Sequence, residues 1–122
     1  MQKATERAMG RALVIEANGL VALDTREMLL ELGFAEVAAL ARVDTALDTI
    51  AVRAPDWSLI DARLGADDLA PVMAALDAVG ATVVLVSSRP DGSDIDPRWT
   101  DRAFLTRPYG PGDLAAVLNS AG

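Results

Sequence analysis

The apolar positions of this chain alternate between two rhythms. Arg11-Ala-Leu-Val-Ile15 is a short apolar run rich in β-branched residues, the mark of a strand buried on both faces. After the polar break Glu16-Ala-Asn-Gly19, apolar side chains return at helical spacing from Leu20 to Leu32. Leu20, Leu23, Met28 and Leu32 form the expected inward stripe, Arg26, Glu27 and Glu31 the outward face, and Gly33 the stop. Glu36 to Ala41 reads as a weaker second strand. Asp44 is the expected N-cap of a helix from Thr45 to Arg53, with Leu47 and Ile50 inside and Pro55 beyond its end. Trp57-Ser-Leu-Ile60 is a third strand that ends at Asp61. Pro71 to Val79 reads as a helix with proline near its first turn and Gly80 just past its end. Thr82-Val-Val-Leu-Val86 is the clearest strand, and Ser87 and Ser88 follow it.

The rhythm then breaks. Arg89 to Arg102 holds Pro90, Gly92 and Pro97 and reads as a long loop, with at most a short distorted helix around Asp96 to Asp101. Ala103 to Thr106 is a fifth strand and Asp113 to Ser120 a last helix. Short apolar strands alternating with amphipathic helices predict an α/β fold: a doubly wound five-stranded parallel sheet of flavodoxin-like, (βα)5 type. Its fourth helix is expected to be short or irregular. Sites in such sheets lie outside the carboxyl ends of the strands. Those ends carry Glu16-Ala17-Asn18, Asp61, Ser87-Ser88 and Thr106-Arg107.

The 122 residues allow one domain, expected over 11–122, after a flexible polar arm from Met1 to Gly10. Cysteine and histidine are both absent, which excludes disulfides, Ser-His-Asp chemistry and nearly all transition-metal sites. The net charge of -7 opposes binding to nucleic acid. No apolar run reaches the roughly 18 residues of a membrane span. No apolar segment follows the basic residues near the start as in a signal peptide, so a cytoplasmic location is expected. What remains is oxygen chemistry. Carboxylates at the strand ends suit Mg²⁺, and a carboxylate is also a nucleophile toward phosphorus. A hydroxyl and a guanidinium beside it suit phosphoryl oxygens.

These residues and their order resemble the receiver domain of two-component response regulators over about Arg11 to Leu118. Pro55-Asp-Trp-Ser-Leu-Ile-Asp61 is similar to the strand that ends in the family's phospho-acceptor, and Leu105-Thr-Arg-Pro-Tyr109 to its Lys-Pro-Phe strand end. Leu29-Leu-Glu-Leu-Gly-Phe34 adds to the likeness. The resemblance implies Asp61 as phospho-acceptor, assisted by Ser87 and Arg107. It implies a metal site of Glu16, Asp61 and the Arg63 main-chain carbonyl, and switch positions at Phe104 and Pro108, the latter in reach of a cis peptide. Leu20-Val-Ala-Leu-Asp24 and Asp61-Ala-Arg-Leu-Gly65 look most like stand-alone receivers associated with HWE-type kinases.

Two positions depart from the family. Ala17 stands where the family has a second acid, and Arg107 where it has lysine. Mg²⁺ is therefore expected to bind weakly or not at all. The implied role is a phosphorelay signalling module rather than an enzyme. Its partners are a sensor histidine kinase or phosphotransfer protein and a downstream target, with a homodimer left open. The competing readings are a phosphorylation-independent pseudo-receiver that binds proteins and, more distantly, a flavodoxin-like cofactor or nucleotide binder. In the plainest reading Asp61 caps a turn and Arg107 balances Glu16 and Asp61. Trp57 and Phe104 are expected in the core. Asp91, Asp94, Asp96 and Asp101 lack the spacing of a calcium loop and read as solvated.

Overall fold

Five parallel strands form the sheet of the computed structural model, which describes residues 9–121. They are β1 (Arg11–Ile15), β2 (Glu36–Leu40), β3 (Trp57–Asp61), β4 (Thr82–Ser87) and β5 (Ala103–Thr106), in the spatial order β2-β1-β3-β4-β5. Four helices connect and cover them: α1 (Gly19–Leu32), α2 (Ala46–Val52), α3 (Ala66–Ala78) and α4 (Pro111–Ala121). The winding reverses between β1 and β3, which are paired with Ile15 opposite Ile60. That register sets Glu16 and Asp61 side by side at the point where the sheet opens.

Alternate strand residues feed two cores. On one face Leu13, Ile15, Ile60 and Leu85 pack with Ile50 of α2 and with Leu69, Met73 and Leu76 of α3. On the other, Val14, Leu59, Val84 and Val86 pack with Leu29 of α1 and with Leu114 and Val117 of α4. Trp57 closes that second core against Phe34, with ring centroids 5.6 Å apart.

Of the expected N-terminal arm, only Met9 and Gly10 lie within the described residues. Both are tied to the domain: the Met9 amide donates to the Gly33 carbonyl, and the Gly10 carbonyl accepts from Ala35 and Glu36. Gly10 has φ 78°, and a Cβ there would collide with the Asp56 carboxylate that receives the Arg11 amide.

Several sequence expectations are corrected. The inward face of α1 is Ala22, Thr25 and Leu29, with Met28 and Leu32 of the expected stripe packed against the core, whereas Leu20 is 80% and Leu23 58% exposed. Small residues let the helix lie close to the sheet, and the Thr25 hydroxyl meets the Tyr109 hydroxyl at 2.8 Å, so this polar residue is satisfied although buried. In α2 the buried pair is Ala46 and Ile50, with Leu47 exposed. Thr45, not Asp44, holds its N-cap position, without a side-chain cap bond, and Asp44 pairs with Arg42 instead. Helix α3 starts at Ala66, well before Pro71, which sits inside it. Asp67 and Asp68 in the first turn favour that start by facing the positive end of the helix.

Between β4 and β5 there is only one 3-10 turn, Pro97–Trp99, as the broken pattern predicts. Ile95 and Trp99 anchor this segment in the core beside α3, and Arg102 forms a two-pronged pair with Asp77 at 2.9 and 2.7 Å. Three of its acids hold the loop rather than simply meeting solvent: Asp91 accepts the Ser93 amide, Asp94 the Ser88 amide and Asp96 the Arg98 amide, while Asp101 is exposed as expected.

The two leucine environments separate in energy. Leu85→Ala, in the central core, is expected to cost about 2–5 kcal/mol. Leu20→Ala should change stability by less than about 0.5 kcal/mol. Urea unfolding of both variants checks the corrected helix face.

Candidate functional site

The carboxyl ends of β1, β3 and β5 bring together two acids and two arginines. Asp61 is 0% and Glu16 2% exposed. Arg107 follows β5 and reaches back across the sheet. Its Nη2 lies 2.7 Å from Glu16 Oε1 and 2.9 Å from Asp61 Oδ1. Its N–H directions miss both oxygens, so these contacts are ion pairs rather than aligned hydrogen bonds.

Arg63 supplies the second cation. After Asp61 the chain makes a 3-10 turn, Ala62–Leu64, capped by Asp61 itself. The turn folds Arg63 back over the carboxylate that precedes it. The Arg63 amide donates to Asp61 Oδ1 at 3.0 Å and Nε to the same oxygen at 3.2 Å. Nη2 donates to Asp61 Oδ2 and Glu16 Oε2, both at 3.2 Å. Backbone amides complete the set: Ala17 donates to Asp61 Oδ2 at 3.1 Å, and Asn18 to Glu16 Oε2 at 3.0 Å. The Asn18 side chain turns away and caps α1 through the Leu20 and Val21 amides. Those amides are thus engaged, and Glu16 lies beside them, so the β1–α1 loop is no phosphate cradle for a nucleotide.

Burial pushes the Asp61 carboxyl pKa up, but hydrogen bonds from the Arg63 side chain and from the Arg63 and Ala17 amides outweigh it. The group is held well below the usual carboxylate range and stays ionised.

Solved structures with the same fold are numerous. The chain superimposes with a TM-score of 0.78 on a response regulator receiver domain (CheY-like) from Methylobacillus flagellatus, at 24% identity, covering 94% of this chain and all of that one (100%). The BeF3-activated conformation of SdrG from Pseudomonas melonis Fr1 matches with a TM-score of 0.77 at 26% identity, over 93% and 96% of the two chains. The PhyR response regulator receiver domain from Erythrobacter litoralis matches at 0.69 and 20% identity, over 93% and 90%. The chain has the fold of a response-regulator receiver domain. This likeness supports a receiver role in two-component signalling in the broad sense. No protein-family model matches the chain, and no curated protein matches it in sequence.

Within this receiver fold the remaining sequence-predicted positions fall as follows. Ser87 is buried at the end of β4, but its hydroxyl bonds the Asp94 carboxylate and the Arg89 carbonyl. Asp94 also receives the Ser88 amide at 2.8 Å. Ser87 therefore holds the β4–β5 loop. Phe104 is not in the core as expected: it is 37% exposed, with its ring against Gly92. Trp57 is in the core. The Arg107–Pro108 peptide is cis. Beside the acids a groove of about 390 Å³ is lined by Asn18, Thr25, Met28, Arg63, Arg107 and Tyr109. The Arg63 side chain was missed by the sequence reading, which used only its main-chain carbonyl.

Receiver domains in general bind Mg²⁺ in this place, and the residues here fit that ion poorly. Each of the four carboxylate oxygens already has a cationic or amide partner. Two unit charges 4 Å apart repel by about 4 kcal/mol at an effective dielectric near 20, and a divalent ion doubles this for each arginine.

Because its pKa is depressed, Asp61 contributes stability that is complete above its unfolded value of about 3.9 and is lost as pH falls below it. The stability difference between wild type and Asp61→Asn is expected to stay level from about pH 8 to 5 and to shrink below about pH 4. Urea titrations at successive pH values check this, and shrinkage already near pH 6 would contradict it.

Proposed function

We propose that this chain is a phosphorelay receiver in which Asp61 accepts a phosphoryl group from a sensor histidine kinase or phosphotransfer protein. The observation that carries the reading is a buried carboxylate at the switch point of a receiver fold, faced by two guanidinium groups. The resemblance to HWE-associated receivers suggests the class of donor, and a cytoplasmic location goes with the role.

In the transfer, an Asp61 oxygen forms a bond to phosphorus as the P–N bond of the donor's phosphohistidine breaks. The donor imidazole keeps the electron pair. Arg63 and Arg107 then hydrogen-bond the phosphoryl oxygens, a task their planar forks suit. Arg63 must first swing off Asp61. Its side chain is 45% exposed and sits over the groove, so it has room to move. Ser87 assists only if its hydroxyl leaves Asp94. The downstream target reads the resulting change.

One observation favours a second reading. Asp61 is fully buried with both oxygens already paired, so the site is charge-balanced with no phosphoryl group. On this reading the chain is a pseudo-receiver that binds its partner directly.

Intact-mass spectrometry separates the two. Incubation with acetyl phosphate, phosphoramidate or a phosphorylated kinase domain is expected to add one phosphoryl mass that Asp61→Asn abolishes. No added mass with any of the three donors would sink the first reading in favour of the second.

A further inference from the structure

We propose that the Arg63 guanidinium stands in for a divalent cation, so that the Glu16–Asp61 pocket takes no Mg²⁺ while Arg63 is in place. The inference concerns the charge balance of the pocket and holds whether or not Asp61 is phosphorylated.

A hard divalent ion needs several oxygen ligands with free lone pairs and a net negative charge around them. The pocket offers neither. Among the described residues no group of three acidic, histidine or cysteine side chains comes together. Two arginines, Arg63 and Arg107, already face the two acids present, Glu16 and Asp61. Arginine does not lose its proton in a protein, so both positive charges stay in the pocket at every working pH.

Arg63 rather than Arg107 is the cation that acts as the ion would. Its Nη2 hydrogen-bonds one oxygen of each acid, the joining role of a shared metal, whereas Arg107 Nη2 reaches the other two oxygens without aligned hydrogen bonds. The Arg63 Nε and amide hold the other Asp61 oxygen. At Ala17 the chain has a methyl group where the resemblance implies a further acid, so no third carboxylate reaches the pocket. The capped turn that delivers Arg63 begins at Asp61 itself, so the acid and its covering cation are built as one local unit.

Exposure makes the claim testable. Arg63 is half exposed, so replacing its side chain opens the pocket without cutting into either core. Arg63→Ala removes the cation outright, and Arg63→Gln removes the charge but keeps an amide that can donate. Either variant leaves two acids facing one arginine.

Thermal melts with and without MgCl₂, and NMR line broadening by Mn²⁺, read the metal directly and need no phosphoryl donor. Wild type is expected to show no Mg²⁺-dependent rise in melting temperature at millimolar concentrations, and no saturable broadening at the Glu16 and Asp61 amides. Arg63→Ala and Arg63→Gln are expected to melt lower and to regain several degrees with Mg²⁺. They should also show saturable broadening centred on Asp61, which adding Asp61→Asn removes. Should Arg63→Ala not fold, Arg63→Gln carries the test alone. Saturable binding at Asp61 in wild type overturns the proposal, as does a folded Arg63 variant that gains none. A failure of phosphorylation in the mass assay leaves these metal measurements unaffected, and the reverse is also true.

Discussion

Two carboxylates buried side by side cannot both stay ionised unless positive charge is brought to them. The β1–β3 register imposes this situation on Glu16 and Asp61, since it pairs Ile15 with Ile60 and so sets the next residue of each chain segment side by side. Arg63 arrives from the turn after β3 and Arg107 from the end of β5, so the ion quartet ties three strand ends together. Removing one partner from such a pair leaves an uncompensated buried charge, which costs about 3–5 kcal/mol. The open end of the sheet is thus held by charge, while the two faces are held by apolar packing.

The sequence made the sheet and most of the site legible. Parallel strands buried on both faces announce themselves as apolar runs, and all five strands fall where those runs lie. Once the strands are placed, their carboxyl ends bring Glu16, Asp61 and Arg107 together by topology alone. Arg63 was invisible as a side chain because its direction depends on a 3-10 turn, and no hydrophobic period records such a turn. The face of α1 was misread for a different reason. Hydropathy follows Leu20 and Leu23, but close approach to the sheet selects the small Ala22 and Thr25, whose polar atom finds Tyr109. Asp67 and Asp68 mark the start of α3, and Pro71, which ordinarily stands in a first turn, lies a full turn further in.

The segment between β4 and β5 is connected to the same end of the sheet. Ser87 is the last residue of β4, and its hydroxyl is committed to Asp94 and the Arg89 carbonyl. Ile95 and Trp99 fix the rest of the loop to the core. A hydroxyl has one proton to give. On the proposed reading, Ser87 serves a phosphoryl oxygen only by turning its one proton away from both Asp94 and the Arg89 carbonyl, which would loosen the start of the loop, where the Ser88 amide still holds Asp94. A chemical event at Asp61 would then reach the surface next to Gly92 and the exposed Phe104.

Stability and reactivity oppose each other at Asp61. The hydrogen bonds that keep the carboxylate ionised also occupy the lone pairs with which it would attack phosphorus. Arg63 is partly solvated, so swinging it away costs less than breaking a fully buried pair, about 1–3 kcal/mol. Since 1.4 kcal/mol is tenfold in population, the open form is a minority of roughly one in six to one in 140. Phosphoryl transfer would draw on that minority. Once a phosphoryl group is attached, the same two guanidinium groups face more negative charge than before and hold it more strongly. On the proposed reading the arrangement would slow entry and favour the product, so the resting state would be set by the two arginines.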